Sequence, residues 1–252
     1  MLNKFHPLFP LNTARWGRAL WAAGTLGLLS ACGAPLQPEH TEYPVGRARL
    51  VLPPGEWVEL GRSNEALPFQ PELLPNPSAT IDLQTQAVGL RGSHNDWLAV
   101  LLVQTNRNNQ PRNPTLWTGT CPLQQDVWVE DAAGPVRIDC LRFKRWANNS
   151  ENWLGKNHPT LVQWLKEHRA APGRPYSHLN YRYATEGGAY VELNAFIDQR
   201  LLVPPTHTND GFLHSGEPAQ MWAHQIRQAA RQSASMLDGH LRIAPFPMAQ
   251  PQ

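Results

Sequence analysis

The chain has 252 residues, with 22 lysines and arginines against 20 aspartates and glutamates and a formal charge of +2. No polybasic run breaks this balance, so the charge gives no support for nucleic-acid binding, which rests on a clustered basic face, and no nucleic-acid partner is expected. Three cysteines leave room for one disulfide and one odd thiol, and the position of the odd one, Cys32, decides how the whole chain is read.

The first 33 residues form a distinct segment. Lys4, Arg15 and Arg18 supply a positive flank, no acidic residue precedes Cys32, and Ala19 to Leu29 is an apolar stretch of 11 residues. A bilayer-spanning helix needs about 20 residues, so this stretch is read as a cleaved signal. Leu29-Ser30-Ala31-Cys32 resembles the lipobox of bacterial lipoproteins. The resemblance implies cleavage before Cys32 and acylation of its sulfur and new amino group. The mature chain would then be attached to the membrane through lipid rather than through a helix. Gly33 stands where an inner-membrane retention signal would place Asp, which by the same resemblance favours the outer membrane, with the domain expected to face the periplasm. Loss of residues 1–31 lowers the basic count from 22 to 19 against 20 acids, so the mature charge is about −1.

Residues 34–44 carry prolines among polar residues, and the stretch from Cys32 to residue 44 is read as the lipidated end and an extended linker. Residues 45–244 are expected to form one globular domain, and residues 245–252, with three prolines, a frayed or strapped tail. In chain order the domain opens with strand signals at 47–52 and 56–60 around Pro53-Pro54-Gly55, then at 81–90 and 97–104. Further β-rich runs follow at 115–120, 126–130 and 136–146.

A helix is predicted over 159–170. Pro159 stands in its first turn, a stripe of Leu161, Trp164, Leu165 and His168 marks one face, and basic residues close its end. A longer helix is predicted over 217–237, with Trp222, Ile226, Ala229, Ser233 and Leu237 in phase and Gly239 as its stop. Strands in runs with helices placed late define an α+β domain, an antiparallel sheet packed by at least two helices, the last one long.

Two hairpins are legible residue by residue. Residues 176–185 and 189–198 surround Glu186-Gly187-Gly188, and a two-residue turn would mix polar with apolar side chains at every step. A three-residue loop instead pairs Arg182 with Glu192, Asn180 with Asn194 and His178 with Phe196 on one face. It pairs Tyr183 with Val191, Tyr181 with Leu193 and Leu179 with Ala195 on the other. The apolar face is expected on the core, with a glycine in the left-handed region and a bulge. The other face gathers His178, Asn180, Arg182, Glu192 and Asn194, read either as a solvated face with one ion pair or as a binding surface. The second hairpin is placed on a turn at Asp131-Ala132-Ala133-Gly134, opposing Val129 to Val136 and Val127 to Ile138, so that Cys140 faces Gln125.

No serine-hydrolase, zincin, nucleotide-binding or dinucleotide fingerprint is present. The best metal candidate is His207, Asp210 and His214 ahead of the long helix, although a flexible His-x6-His spacing does not by itself enforce convergence. No cofactor is implied. Trp146 and Trp153 flank the polar loop around Asn149 and suit an aromatic contact for a glycan or protein. The expected function is a lipid-anchored periplasmic envelope protein with a non-catalytic binding or structural role toward a protein or envelope component. Two alternatives stand beside it. One is a periplasmic immunity or inhibitor lipoprotein, since residues 45–53 are faintly similar to the start of some lipase-immunity lipoproteins. The other is an envelope hydrolase using His178 or His207 with Glu192 or Asp210.

With Cys32 acylated, Cys121 and Cys140 are the remaining thiols, and an oxidising periplasm should join them. Closing a loop of about 20 residues contributes roughly 3 kcal/mol in the chain-entropy model. Alkylation of the purified protein without reductant should therefore label neither cysteine; two labelled thiols would remove the disulfide.

Overall fold

A computed structural model describes residues 41–68, 80–108, 120–134, 137–148, 152–173, 175–235 and 239–251. The signal segment, Cys32, most of the expected linker and the run 115–119 lie outside the described residues. The described residues form an α+β domain built on two sheets. None of their helices is long and apolar enough to cross a membrane.

The large sheet is antiparallel and has seven strands. In chain order these are β3 (Glu56–Pro68), β4 (Thr80–Arg91), β5 (Trp97–Asn106), β6 (Trp128–Asp131), β7 (Ile138–Lys144), β8 (Tyr176–Ala184) and β9 (Tyr190–Asp198). Their spatial order is β3-β4-β5-β9-β8-β7-β6, so β9 is the central strand. The small sheet joins β1 (Glu42–Val45) and β2 (Ala48–Val51) as a hairpin and adds β10 (His240–Arg242) parallel to β2. The sheet thus begins inside the stretch read as linker. Gly46 turns this hairpin at φ +53°, and a Cβ there would stand 2.5 Å from the carbonyl oxygen of Asn106, so the close approach to β5 requires glycine.

The large sheet is covered on both faces. Alternation assigns Val88, Leu90, Ala99, Leu101, Val103, Leu179, Tyr181, Leu193 and Ala195 to one face. There they meet α5 (Glu217–Ser235) through Ala219, Trp222, Ala223, Ile226 and Ala230, together with the small sheet. The opposite face sends Ala87, Val100, Leu102 and Phe196 against α1 (Trp153–Asn157) and α2 (Pro159–Glu167). Leu165 is the buried anchor of α2, with Leu161, Val162 and Trp164 half-buried around it. This is the stripe that the sequence marks. The helix ends earlier than the predicted residue 170, because Arg169 takes a left-handed conformation at φ 49°. Two shorter helices, α3 (Gln199–Leu202) and α4 (Asn209–His214), link β9 to α5.

The β8–β9 register matches the sequence expectation pair for pair, from His178 opposite Phe196 to Tyr183 opposite Val191. Thr185 N–H donates to Ala189 O and Gly188 N–H to Thr185 O, with Gly188 at φ 82° closing the three-residue loop. The β6–β7 hairpin differs. Asp131 faces Cys140 and Val129 faces Arg142, six residues away from the expected partner Val136. The ladder continues through Ala132 N–H to Asp139 O and through Gly134 paired with Arg137, so the chain reverses beyond Gly134 and not at Asp131. Pairing Asp131 with Cys140 brings Cys121 within 5.6 Å, Cα to Cα, and the Cys121–Cys140 disulfide is formed.

The residues read as a tail are strapped down. Phe246 stacks between Trp57 and Trp222, and the Met248 N–H donates to Leu201 O at 3.0 Å. A charged clamp then ties α5 to the sheet. Asp139 is 2% exposed, accepts from Tyr181 Oη at 3.1 Å and pairs with Arg227 at 3.2 Å and with Arg231. Arg227 also reaches Glu130 at 2.5 Å. Removing one partner of a buried charge cluster strands the others. Asp139→Ala should cost on the order of 3 kcal/mol, at the low end for such breaks because Arg231 reaches solvent. Urea denaturation measures it, and a loss below about 0.5 kcal/mol would mean the clamp contributes nothing beyond ordinary surface pairs.

Candidate functional site

Directly opposed residues of neighbouring strands share a face, and the registers trace one polar row across the side covered by α1 and α2. Ser63 opposes Thr85, Thr85 opposes Gln104, Gln104 opposes Glu192, and Glu192 opposes Arg182. His178, Asn180 and Asn194 lie beside it on the same face. The structure therefore brings together all five residues of the expected binding face, yet it does not leave them on an open surface. His178, Asn180 and Asn194 are buried, and Arg182 and Glu192 are half-buried. The covering element is the β7–β8 connection, which folds α1 and α2 back over the sheet.

Burial forces these groups to satisfy one another. Asn180 Nδ2 donates to Glu192 Oε1 at 3.0 Å and to Asn194 Oδ1 at 2.9 Å. Asn194 Nδ2 donates to Glu192 Oε1 at 3.2 Å, and Tyr190 Oη to Glu192 Oε2 at 2.7 Å. Arg182 stands 3.8 Å from the same carboxylate. Burial and the adjacent Glu192 charge together push the Tyr190 phenol well above its ordinary range, so it remains a donor. Further out, Gln104 donates to Glu65 and, at 2.9 Å, to Thr85 Oγ1.

A pair of imidazoles holds the covering helices to the sheet. His178 stacks on Phe196 at 4.8 Å and meets the ring of His158 edge-on at 4.9 Å, while Trp153 lies 6.1 Å from it. Its Nε2 lies 3.2 Å from Asn194 Oδ1. An amide oxygen only accepts, so the proton resides on Nε2 of a neutral ring. His158 sits between α1 and α2 and anchors their junction by donating its backbone N–H to Leu154 O at 2.7 Å. Burial lowers its pKa, and the Arg142 charge adds to the shift. Its Nε2 is buried without a hydrogen-bond partner.

Between α2 and strands β3, β4, β5 and β9 an open groove of about 380 Å³ remains. Its floor, on the sheet, is Ser63, Glu65, Thr85, Leu102, Gln104, Glu192 and Asn194, and its wall is His158, Thr160, Leu161 and Trp164. Only Glu192 and Asn194 of the expected binding face reach it; His178, Asn180 and Arg182 lie behind. Ser63, Glu65, Thr85, Gln104 and His158 were not singled out from the sequence. Extending the β8–β9 register to β5 would have found Gln104, the one polar residue among the apolar ones of its run.

The other sequence candidates separate. Asp210 and His214 lie one turn apart on α4, at 3.9 Å, and His214 Nδ1 contacts Glu217 at 2.6 Å, all exposed. Among the described residues no group of three or more His, Cys, Asp or Glu is placed to hold a metal ion, and His207 does not join this pair in one. Trp146 is exposed under Arg145, whereas Trp153 turns inward against His158 and His178, so the two do not form the expected aromatic patch. Comparison of the chain with protein-family models, curated proteins and solved structures finds no match.

Burial and the neighbouring His158 push the His178 pKa down to about 3. The unfolded chain takes up this proton near pH 6.5, and the folded chain refuses it until about pH 3. Stability should therefore fall as pH drops through that window, by ~1.4 kcal/mol per unit and by ~2 kcal/mol between pH 6.5 and 5. Denaturation midpoints at pH 7 and 5 measure the effect. A His178→Leu variant should show a shallower acid slope than the parent, and equal slopes would contradict a neutral buried imidazole.

Proposed function

We propose that the protein is a lipid-anchored envelope protein, held at the periplasmic side of the bacterial outer membrane through acylated Cys32. Its domain binds an envelope component through the groove beside α2 and performs no chemistry on it. The groove carries this reading. A concave, mixed polar and apolar site on a sheet packed on both faces is preorganised for binding. Its central carboxylate, Glu192, is surrounded by Asn180, Arg182, Tyr190 and Asn194, and His178 is locked as a neutral donor to Asn194. Groups held this way position a ligand and are poorly placed to exchange protons with one. The lipobox-like run at 29–32 and the Cys121–Cys140 disulfide both suit an oxidising compartment at a membrane.

Full-length chain expressed in bacteria tests both halves. Metabolic labelling with an alkyne fatty acid should mark the parent and not Cys32→Ser, which should leave the membrane fraction. A photo-crosslinking residue at Thr160, in the groove wall, should capture an envelope component that the same probe at Gln228, exposed on α5, does not. Unlabelled parent would remove the anchor, and equal or absent capture at the two positions would remove the groove.

A further inference from the structure

We propose that the groove beside α2 is a saccharide site, taking a chain of neutral or amino sugars against the ring of Trp164. This rests on the reading of the groove as the binding site and adds the chemical class of its ligand.

Charge narrows the choice first. The described lining holds two carboxylates, Glu65 and Glu192, and neither lysine nor arginine. Arg182, behind the floor, offsets Glu192, whereas Glu65 at the exposed rim is met by the amide of Gln104. A phosphate, sulfate or carboxylate ligand would face Glu65 with no cation in the described lining to compensate. Anions are disfavoured, and a neutral or positively charged ligand is not.

Hydrogen-bonding capacity narrows it further. An acyl chain laid over Ser63, Thr85 and Gln104 would strip water from hydroxyls and an amide and return no hydrogen bonds. An extended peptide binds sheets best along a free edge, through its main chain. This groove lies on a sheet face, where β4, β5 and β9 already have both neighbours. Sugar hydroxyls both donate and accept, and so match a floor of acceptor-only carboxylates with hydroxyls and amides of both kinds. A sugar ring also carries an apolar C–H face. His168 stacks on Trp164 at 4.1 Å and fixes its plane, and Trp164 and Leu161 of α2 give the wall an apolar surface beside Leu102 on the floor. The groove opens to solvent, so a sugar chain can enter it from outside.

The test uses the full chain purified in a non-glycosidic detergent and titrated with three probes: chitotetraose, the deacetylated glucosamine tetramer, and a heparin tetrasaccharide. Tryptophan fluorescence and calorimetry read binding. At least one of the first two should bind, and heparin should not. Glu65→Ala, at an exposed rim position that tolerates substitution, and Trp164→Ala should each weaken binding about tenfold or more, while Gln228→Ala should leave it unchanged. Absence of binding to both uncharged and amino tetramers at millimolar concentration, binding insensitive to Glu65→Ala, or preference for heparin would each overturn the saccharide assignment. Capture of a non-saccharide component at Thr160 would overturn it too and leave the groove as a binding site. Equal capture at Thr160 and Gln228 would remove the groove itself.

Discussion

The structure depends on one constraint: β8 and β9 lie inside a seven-stranded sheet that is covered on both faces, so no side chain on either strand has free access to water at its base. On the α5 side this is met by apolar residues and by the Asp139 clamp. The side under α1 and α2 carries His178, Asn180, Arg182, Glu192 and Asn194, each bearing polar atoms that would be expensive to bury alone. His178, Asn180, Glu192 and Asn194 are kept by hydrogen bonds to one another, and Arg182 by its charge beside Glu192. The cost of breaking any member is then high, which fixes the geometry of the whole row and of the groove that begins where the row leaves the cover.

Histidine is an unusual choice for joining two layers, and its use follows from the same constraint. The His178 ring must stack on Phe196, meet His158 and still satisfy the amide oxygen of Asn194. Phenylalanine would supply the first two contacts and leave the oxygen with one donor fewer. A charged side chain would supply the third and resist burial. A neutral imidazole does all three.

The sequence reveals the β8–β9 hairpin because its two faces differ sharply and only one turn length keeps them apart. It misleads at β6–β7 for the opposite reason. β7 is buried on nearly every residue from Ile138 to Lys144, so it shows no alternation, and the only register cue left is Asp131-Ala132-Ala133-Gly134, whose composition resembles a turn. The burial of the polar face was likewise hidden. The stripe on α2 shows that this helix must dock somewhere, but its destination depends on how the β7–β8 connection crosses the sheet, a tertiary fact that periodicity does not carry. Residues such as Gln104 and Ser63 become part of a site only through registers spanning five strands.

Along the row the degree of internal satisfaction changes in one direction. At β8 and β9, His178, Asn180 and Asn194 are buried; Arg182, Glu192, Gln104 and Thr85 are half-buried; at β3, Ser63 and Glu65 are exposed. The inner groups have bonded to one another, while the outer groups face solvent with capacity remaining. A ligand entering between β3 and α2 thus meets hydrogen-bonding groups whose floor is held by the same contacts that stabilise the fold. Rigidity at the inner end lowers the ordering cost of binding at the outer end, so the polar row that stabilises the covered sheet is also what prepares its exposed margin to recognise a ligand.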